Sequence, residues 1–190
     1  MLLNHQHKDV ALVPAKPLTV LVLCTGNSAR SIMAEAVFNG LAGRWFRAYS
    51  AGSHPVGLVH PLAIEQVARA NLPTLGLSSK HWDEFARPGA PALDFVLTVC
   101  SRAAGEACPM FPGEAIRVDW SLPDPAAVTG PDGARRQAFA DVFNILAGRI
   151  SALAAAPLST LDKTAIADLL RRIGTETTCQ NEGELSWTSC

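Results

Sequence analysis

The sequence has little charge and almost no imbalance of sign. Charged residues make up 17% of 190 positions, and 16 Lys and Arg against 17 Asp and Glu leave a net charge of −1. A chain so close to neutral gives no electrostatic reason to expect nucleic acid or a membrane surface as partner. No uninterrupted apolar run approaches the length of a membrane span. The five cysteines are odd in number and lack a disulfide-scaffold spacing, which suits reduced thiols in a cytoplasm. Zinc is disfavoured too, because Cys100 and Cys108 lie far apart for a ligand pair and no second pair or nearby His completes four ligands. Internal repeats and low-complexity tracts are absent, and aromatic residues are only 6% of the chain, with Tyr49 the one tyrosine.

What remains is a chain with 48% hydrophobic residues, enough for one soluble α/β domain with some tail. Met1–Pro17 carries His5, His7 and two prolines but no apolar core before a cleavage site, so it is expected to be a loose lead-in. Four short apolar runs read as strands: Leu18–Cys24, Trp45–Ser50, Leu93–Val99 and Ala115–Val118. Helical spacing follows Arg30, opens at His60-Pro61, and extends over Arg135–Ala156, with a shorter piece at Lys80–Phe85. Strands alternating with helices predict a four-stranded parallel sheet with helices on both faces. A C-terminal helical extension over 157–174 is expected beyond a core domain of 18–156. Residues 175–190 are polar and aperiodic, and are expected to be a disordered tail holding Cys179 and Cys190.

The informative stretch is Leu18–Ser31. Six of its first seven residues are apolar, as in a strand buried on both faces, and Gly26, Asn27 and Ser28 then break it before a helix starts at Arg30. A tight loop between strand and helix makes a nest of backbone N–H groups, and the helix start adds its own unpaired donors. The loop Thr25, Gly26, Asn27, Ser28, Ala29, Arg30 and Ser31 is therefore a candidate oxyanion cradle, with the Arg30 guanidinium able to hold two oxygens at once. A cysteine in such a positive field is expected to have a depressed pKa and to be a nucleophile aimed at the central atom, and Cys24 has that place. Ser31 is positioned to donate a hydrogen bond to its sulfur. Cys100 follows the third predicted strand, and Asp124 lies in a loop after the fourth. In parallel sheets, functional groups gather at such strand ends.

Cys24-Thr-Gly-Asn-Ser-Ala-Arg30-Ser31, Tyr49-Ser50-Ala51-Gly52 and Asp124-Pro125 together resemble the low-molecular-weight protein tyrosine phosphatase fold. Leu97-Thr98-Val99-Cys100 followed by Cys108-Pro109 resembles the thioredoxin-coupled arsenate reductases that share it. The resemblance runs from about Val20 to Ala156. It implies that Cys24 attacks arsenate, that Arg30 and the loop amides hold the oxyanion, and that Asp124 protonates the leaving oxygen. It further implies that Cys100 attacks Cys24, expelling arsenite, and that Cys108 moves the disulfide outward to thioredoxin or a glutaredoxin-like reductant. Phosphate and sulfate would compete with arsenate. The resemblance also implies a monovalent cation such as potassium at Asn27, Glu35, Ser50 and Asp83, with no organic cofactor, in a protein expected to be monomeric.

Two other classes share parts of this pattern. A tyrosine phosphatase would use Cys24, Arg30 and Asp124 through a cysteinyl-phosphate, but Asp124-Pro125 is followed by Ala126, where phosphatases of this fold place an aromatic. A non-catalytic oxyanion or redox sensor would keep the loop but need no Asp124. Reduction of arsenate takes two electrons, and a single thiol cannot supply both and regenerate itself, which favours a relay through Cys100 and Cys108.

Overall fold

The computed structural model describes residues 16–101, 103 and 109–175. Four parallel strands form one sheet: β1 (Leu18–Cys24), β2 (Phe46–Gly52), β3 (Phe95–Thr98) and β4 (Ile116–Asp119), in the order β2-β1-β3-β4. The central strand β1 pairs with β2 from Leu18↔Phe46 to Cys24↔Gly52, and with β3 from Val20↔Phe95 to Leu23↔Thr98. Cys24 therefore leaves the sheet at its middle, where the chain crosses from one edge to the other.

Alternation along β1 divides the core. Val20, Val22 and Cys24 face the larger apolar cluster, shared with α1 (Arg30–Leu41) and α3 (Asp132–Ala155). Leu21 and Leu23 face the opposite side, covered by Trp82 and Phe85 of a 3₁₀ turn, Trp82–Phe85, together with Leu93 and Val96. Eight consecutive residues of α1, Ser31–Phe38, are buried, because sheet, α2 (Pro61–Arg69) and α3 surround it. By length and composition α3 passes as a membrane span, the one helix among the described residues to do so, although charges interrupt its apolar run. Its apolar stripe, Phe139, Val142, Phe143, Leu146 and Ile150, is instead buried in the core.

The helix expected near the C-terminus is α4 (Lys163–Thr175). It docks on the carboxyl end of β4: Trp120 donates its indole N–H to the Leu170 carbonyl at 2.7 Å, and Arg149 reaches the Gly174 carbonyl at 2.8 Å. A methyl group on Gly174 would stand 2.4 Å from the Trp120 ring, so the glycine permits this close approach. The lead-in before residue 16, Cys108 and the tail with Cys179 and Cys190 lie outside the described residues.

Candidate active site

The loop between β1 and α1 is held by its carbonyls. Thr25, Gly26 and Ser28 each accept a hydrogen bond from the backbone of the segment after β2, from His54, Val56 and His60 respectively, at 2.9–3.0 Å. Carbonyls drawn outward leave the loop amides turned toward the Cys24 sulfur, and the Asn27 N–H meets it at 3.1 Å. Helix α1 starts without a side-chain cap, so its first donors are open to an anion at the same point. Asn27 takes φ of 41°, a left-handed conformation that Asn tolerates better than most residues. Gly52 lets β2 pass close beneath: a Cβ there would lie 2.4 Å from the Thr25 carbonyl oxygen.

A buried polar chain then fixes which way protons point. The Lys80 backbone N–H donates to Asn27 Oδ1 at 2.7 Å, which sets the orientation of the amide. Its Nδ2 donates to Ser31 Oγ and to Ser50 Oγ, both at 3.0 Å. Ser50 in turn donates to Glu35 Oε2 at 2.5 Å. Ser31 already accepts from Asn27, so its own hydrogen is free for the Cys24 sulfur 2.9 Å away. The nucleophile thus faces a donor from Ser31 and another from the Asn27 backbone.

These donors do not win outright. Burial pushes the Cys24 thiol above its ordinary value of 9.0, and the nearby Cys100 adds to the rise, while Ser31 and the Asn27 amide pull it back. The depressed pKa expected from the sequence is therefore not found, because burial removes water from the sulfur more effectively than the loop donors replace it. Cys100 is also buried, with its sulfur 3.6 Å from Thr25 Oγ1 and 3.4 Å from the Ala103 amide. Both are free thiols.

Arg30 spans the mouth. Its Nη2 pairs with Asp124 Oδ2 at 2.9 Å, and its Nη1 donates to the Leu122 carbonyl at 3.0 Å. The loop after β4 is thereby tied to the helix start, bringing Cys24, Arg30, Cys100 and Asp124 to one end of the sheet. His60 closes one side, stacked on Phe139 with centroids 4.5 Å apart. It caps α2 by accepting the Leu62 N–H at its Nδ1. Burial and then Arg135 hold it below the usual histidine range, against an opposing pull from Asp124.

The family model for low molecular weight phosphotyrosine protein phosphatase matches residues 19–165. The chain belongs to that family. Within it, an arsenate reductase from Oceanobacillus iheyensis is 33% identical over 135 residues, 71% of this chain and 94% of the relative. A solved arsenate reductase in its phosphate-binding state is 27% identical with a TM-score of 0.55, covering 73% of this chain and 97% of that one. A thioredoxin-dependent arsenate reductase from Corynebacterium glutamicum is 25% identical with a TM-score of 0.54, covering 78% of this chain and 66% of its own.

The low-molecular-weight phosphatase resemblance placed a monovalent cation at Asn27, Glu35, Ser50 and Asp83, and the residues do not fit one. Asn27, Glu35 and Ser50 do meet, but the Asn27 oxygen is taken by the Lys80 amide and the Ser50 hydroxyl by Glu35. Asp83 is not with them: its side chain is 61% exposed and faces His81 Nδ1 at 3.2 Å. It belongs to the 3₁₀ turn, which points its carboxylate outward. In its place stands Lys80, whose Nζ is 3.7 Å from Glu35 Oε2. Sequence reasoning missed Lys80, and with it the segment 54–60 that turns the loop carbonyls. No motif marks either, since backbone groups do most of the work.

Proposed function

We propose that the protein reduces arsenate to arsenite, using Cys24 as nucleophile and Cys100 as the second thiol. The observation that carries this reading is a second buried thiol beside the oxyanion loop, at Thr25. Phosphoryl hydrolysis has no use for it, whereas a two-electron reduction requires it. The arsenate reductases among its relatives favour the same choice.

The chemistry follows from the geometry. Arsenate enters the nest of loop amides at the start of α1 and competes with Asp124 for the Arg30 guanidinium. The thiol form of Cys24 lets a dianion approach without charge repulsion. As the sulfur bonds to arsenic, the thiol proton passes by way of the Asp124 carboxylate, released from Arg30 by the incoming arsenate, to the departing hydroxyl, which leaves as water. Cys100 then attacks the Cys24 sulfur. The Cys24–Cys100 disulfide forms as the sulfur–arsenic bond breaks; the electron pair of that bond stays on arsenic, the Cys100 thiol proton goes to an arsenic-bound oxygen, and arsenite leaves. Cys108 carries the disulfide onward to thioredoxin or a similar dithiol protein, which supplies the two electrons for the next turnover.

The tyrosine phosphatase reading shares the first attack but then needs water at a cysteinyl-phosphate. The test is arsenite production with thioredoxin, thioredoxin reductase and NADPH, run beside hydrolysis of p-nitrophenyl phosphate. Arsenate-dependent NADPH oxidation supports the proposal. Phosphatase turnover without arsenite formation overturns it.

A further inference from the structure

We propose that Lys80 is a positioning residue that serves this site as a tethered cation, so that it is complete without an added monovalent ion. Four contacts carry the inference. The Lys80 backbone is clamped on both sides of the peptide unit, its N–H on Asn27 Oδ1 at 2.7 Å and its carbonyl on the Gly52 N–H at 3.0 Å. That clamp carries the side chain over Glu35, where Nζ lies 3.7 Å from Oε2 and 3.0 Å from the Ser78 carbonyl. Both side chains are largely buried, 16% and 11% exposed, so the charge of Glu35 is met by one ammonium rather than by solvent.

The consequence runs to the nucleophile. Glu35 as an anion obliges Ser50 to donate to it, which leaves the Ser50 oxygen to accept from Asn27. With one Asn27 hydrogen on Ser50 and the other on Ser31, the Ser31 hydroxyl is directed at Cys24. Removing the ammonium leaves the Glu35 carboxylate buried and unpaired, and the chain loses its fixed polarity. A mobile cation could do the same work, but here its place is taken by a side chain that cannot diffuse away. Glu35 also lines a cavity at the β2 edge together with Asn39, Arg47 and Tyr49.

The test uses the full chain, exchanged into tetramethylammonium buffer at constant ionic strength, with potassium or sodium chloride then added. The wild-type melting temperature and kcat for arsenate are expected to be the same in either salt. Lys80→Ala is expected to melt lower and to lose roughly tenfold or more in kcat, with KM little changed, since Arg30 and the loop amides still bind the anion. Potassium or ammonium should restore both losses saturably. A wild-type protein whose melting temperature rises saturably with potassium but not sodium overturns the proposal. So does a Lys80→Ala protein that matches wild type, or whose losses no cation restores. The wild-type comparison decides the matter should the variant not fold. The kcat arm rests on the arsenate reductase reading; the melting arm does not, so failure of that reading leaves it intact.

Discussion

Gly52→Ala tests whether the exact seating of the oxyanion loop governs activity. Gly52 pairs with Cys24 across β1 and β2, and its N–H is held by the Lys80 carbonyl. The strand therefore cannot back away without breaking two sets of hydrogen bonds. A methyl group at this position would lie 2.4 Å from the Thr25 oxygen and 3.0 Å from Asn27 Cβ and N. Ordinary contact requires the loop to retreat by about 1 Å. Overpacking of this kind costs about 1–3 kcal/mol, which a domain of this size survives. A displacement of ~1 Å in groups that position the reacting atoms costs about a hundredfold in rate. Urea unfolding and kcat/KM for arsenate should therefore separate, with modest loss of stability and a large loss of activity. Gly133→Ala is the control, because a Cβ there meets nothing within 4 Å. Wild-type kcat/KM in folded Gly52→Ala would refute the argument.

Three further outcomes follow from the site. Asp124→Asn should slow turnover by about a hundredfold while sulfate binds at least as tightly, since Arg30 loses its competing partner; unchanged kcat at saturating arsenate would remove Asp124 as the acid. With Cys24 held above 9.0, its thiolate fraction is small at neutral pH and grows as pH rises past that value. Alkylation of the unliganded protein by iodoacetamide should therefore still be climbing at pH 9, and a rate already level at pH 7 would contradict this. Cys108→Ala should release about one arsenite per chain and then stall with thioredoxin, trapped as the Cys24–Cys100 disulfide. Continuous turnover of that variant would show that the relay ends at Cys100 or passes to Cys179 or Cys190, which a chain ending at Gly174 would distinguish.

Much of the fold was legible because its strands and helices announce themselves by period. The run Leu18–Cys24 became β1 without adjustment, and the stripe Phe139, Val142, Phe143, Leu146 and Ile150 of α3 is buried as its spacing required. Helix α1 was harder. Its spacing sets Leu41 on one stripe with Ile32, Ala36 and Val37, yet Leu41 is 45% exposed because the last turn projects beyond its neighbours. Met33, Ala34 and Phe38, off that stripe, are buried because the preceding turns are enclosed on all sides. At the site, the grouping of Cys24, Arg30 and Asp124 follows from strand ends meeting at one edge of a parallel sheet. The Lys80–Glu35 pair was not legible, since 44 intervening residues separate them and only the backbone clamp on Asn27 and Gly52 brings them together. The Cys24 pKa was misjudged for a related reason: the sequence shows the loop that donates hydrogen bonds, but not the walls that exclude water.

The central claim is that the protein reduces its oxyanion rather than hydrolysing an ester of it. The most direct measurement is a single turnover: fully reduced protein mixed with excess arsenate and no reductant, with arsenite quantified and the alkylated peptides mapped by mass spectrometry. The account predicts about one arsenite per chain, with Cys24 and Cys100 protected from alkylation as a disulfide and, where the relay advances, Cys100 and Cys108. No arsenite, with Cys24 and Cys100 both still free to alkylate, would contradict it.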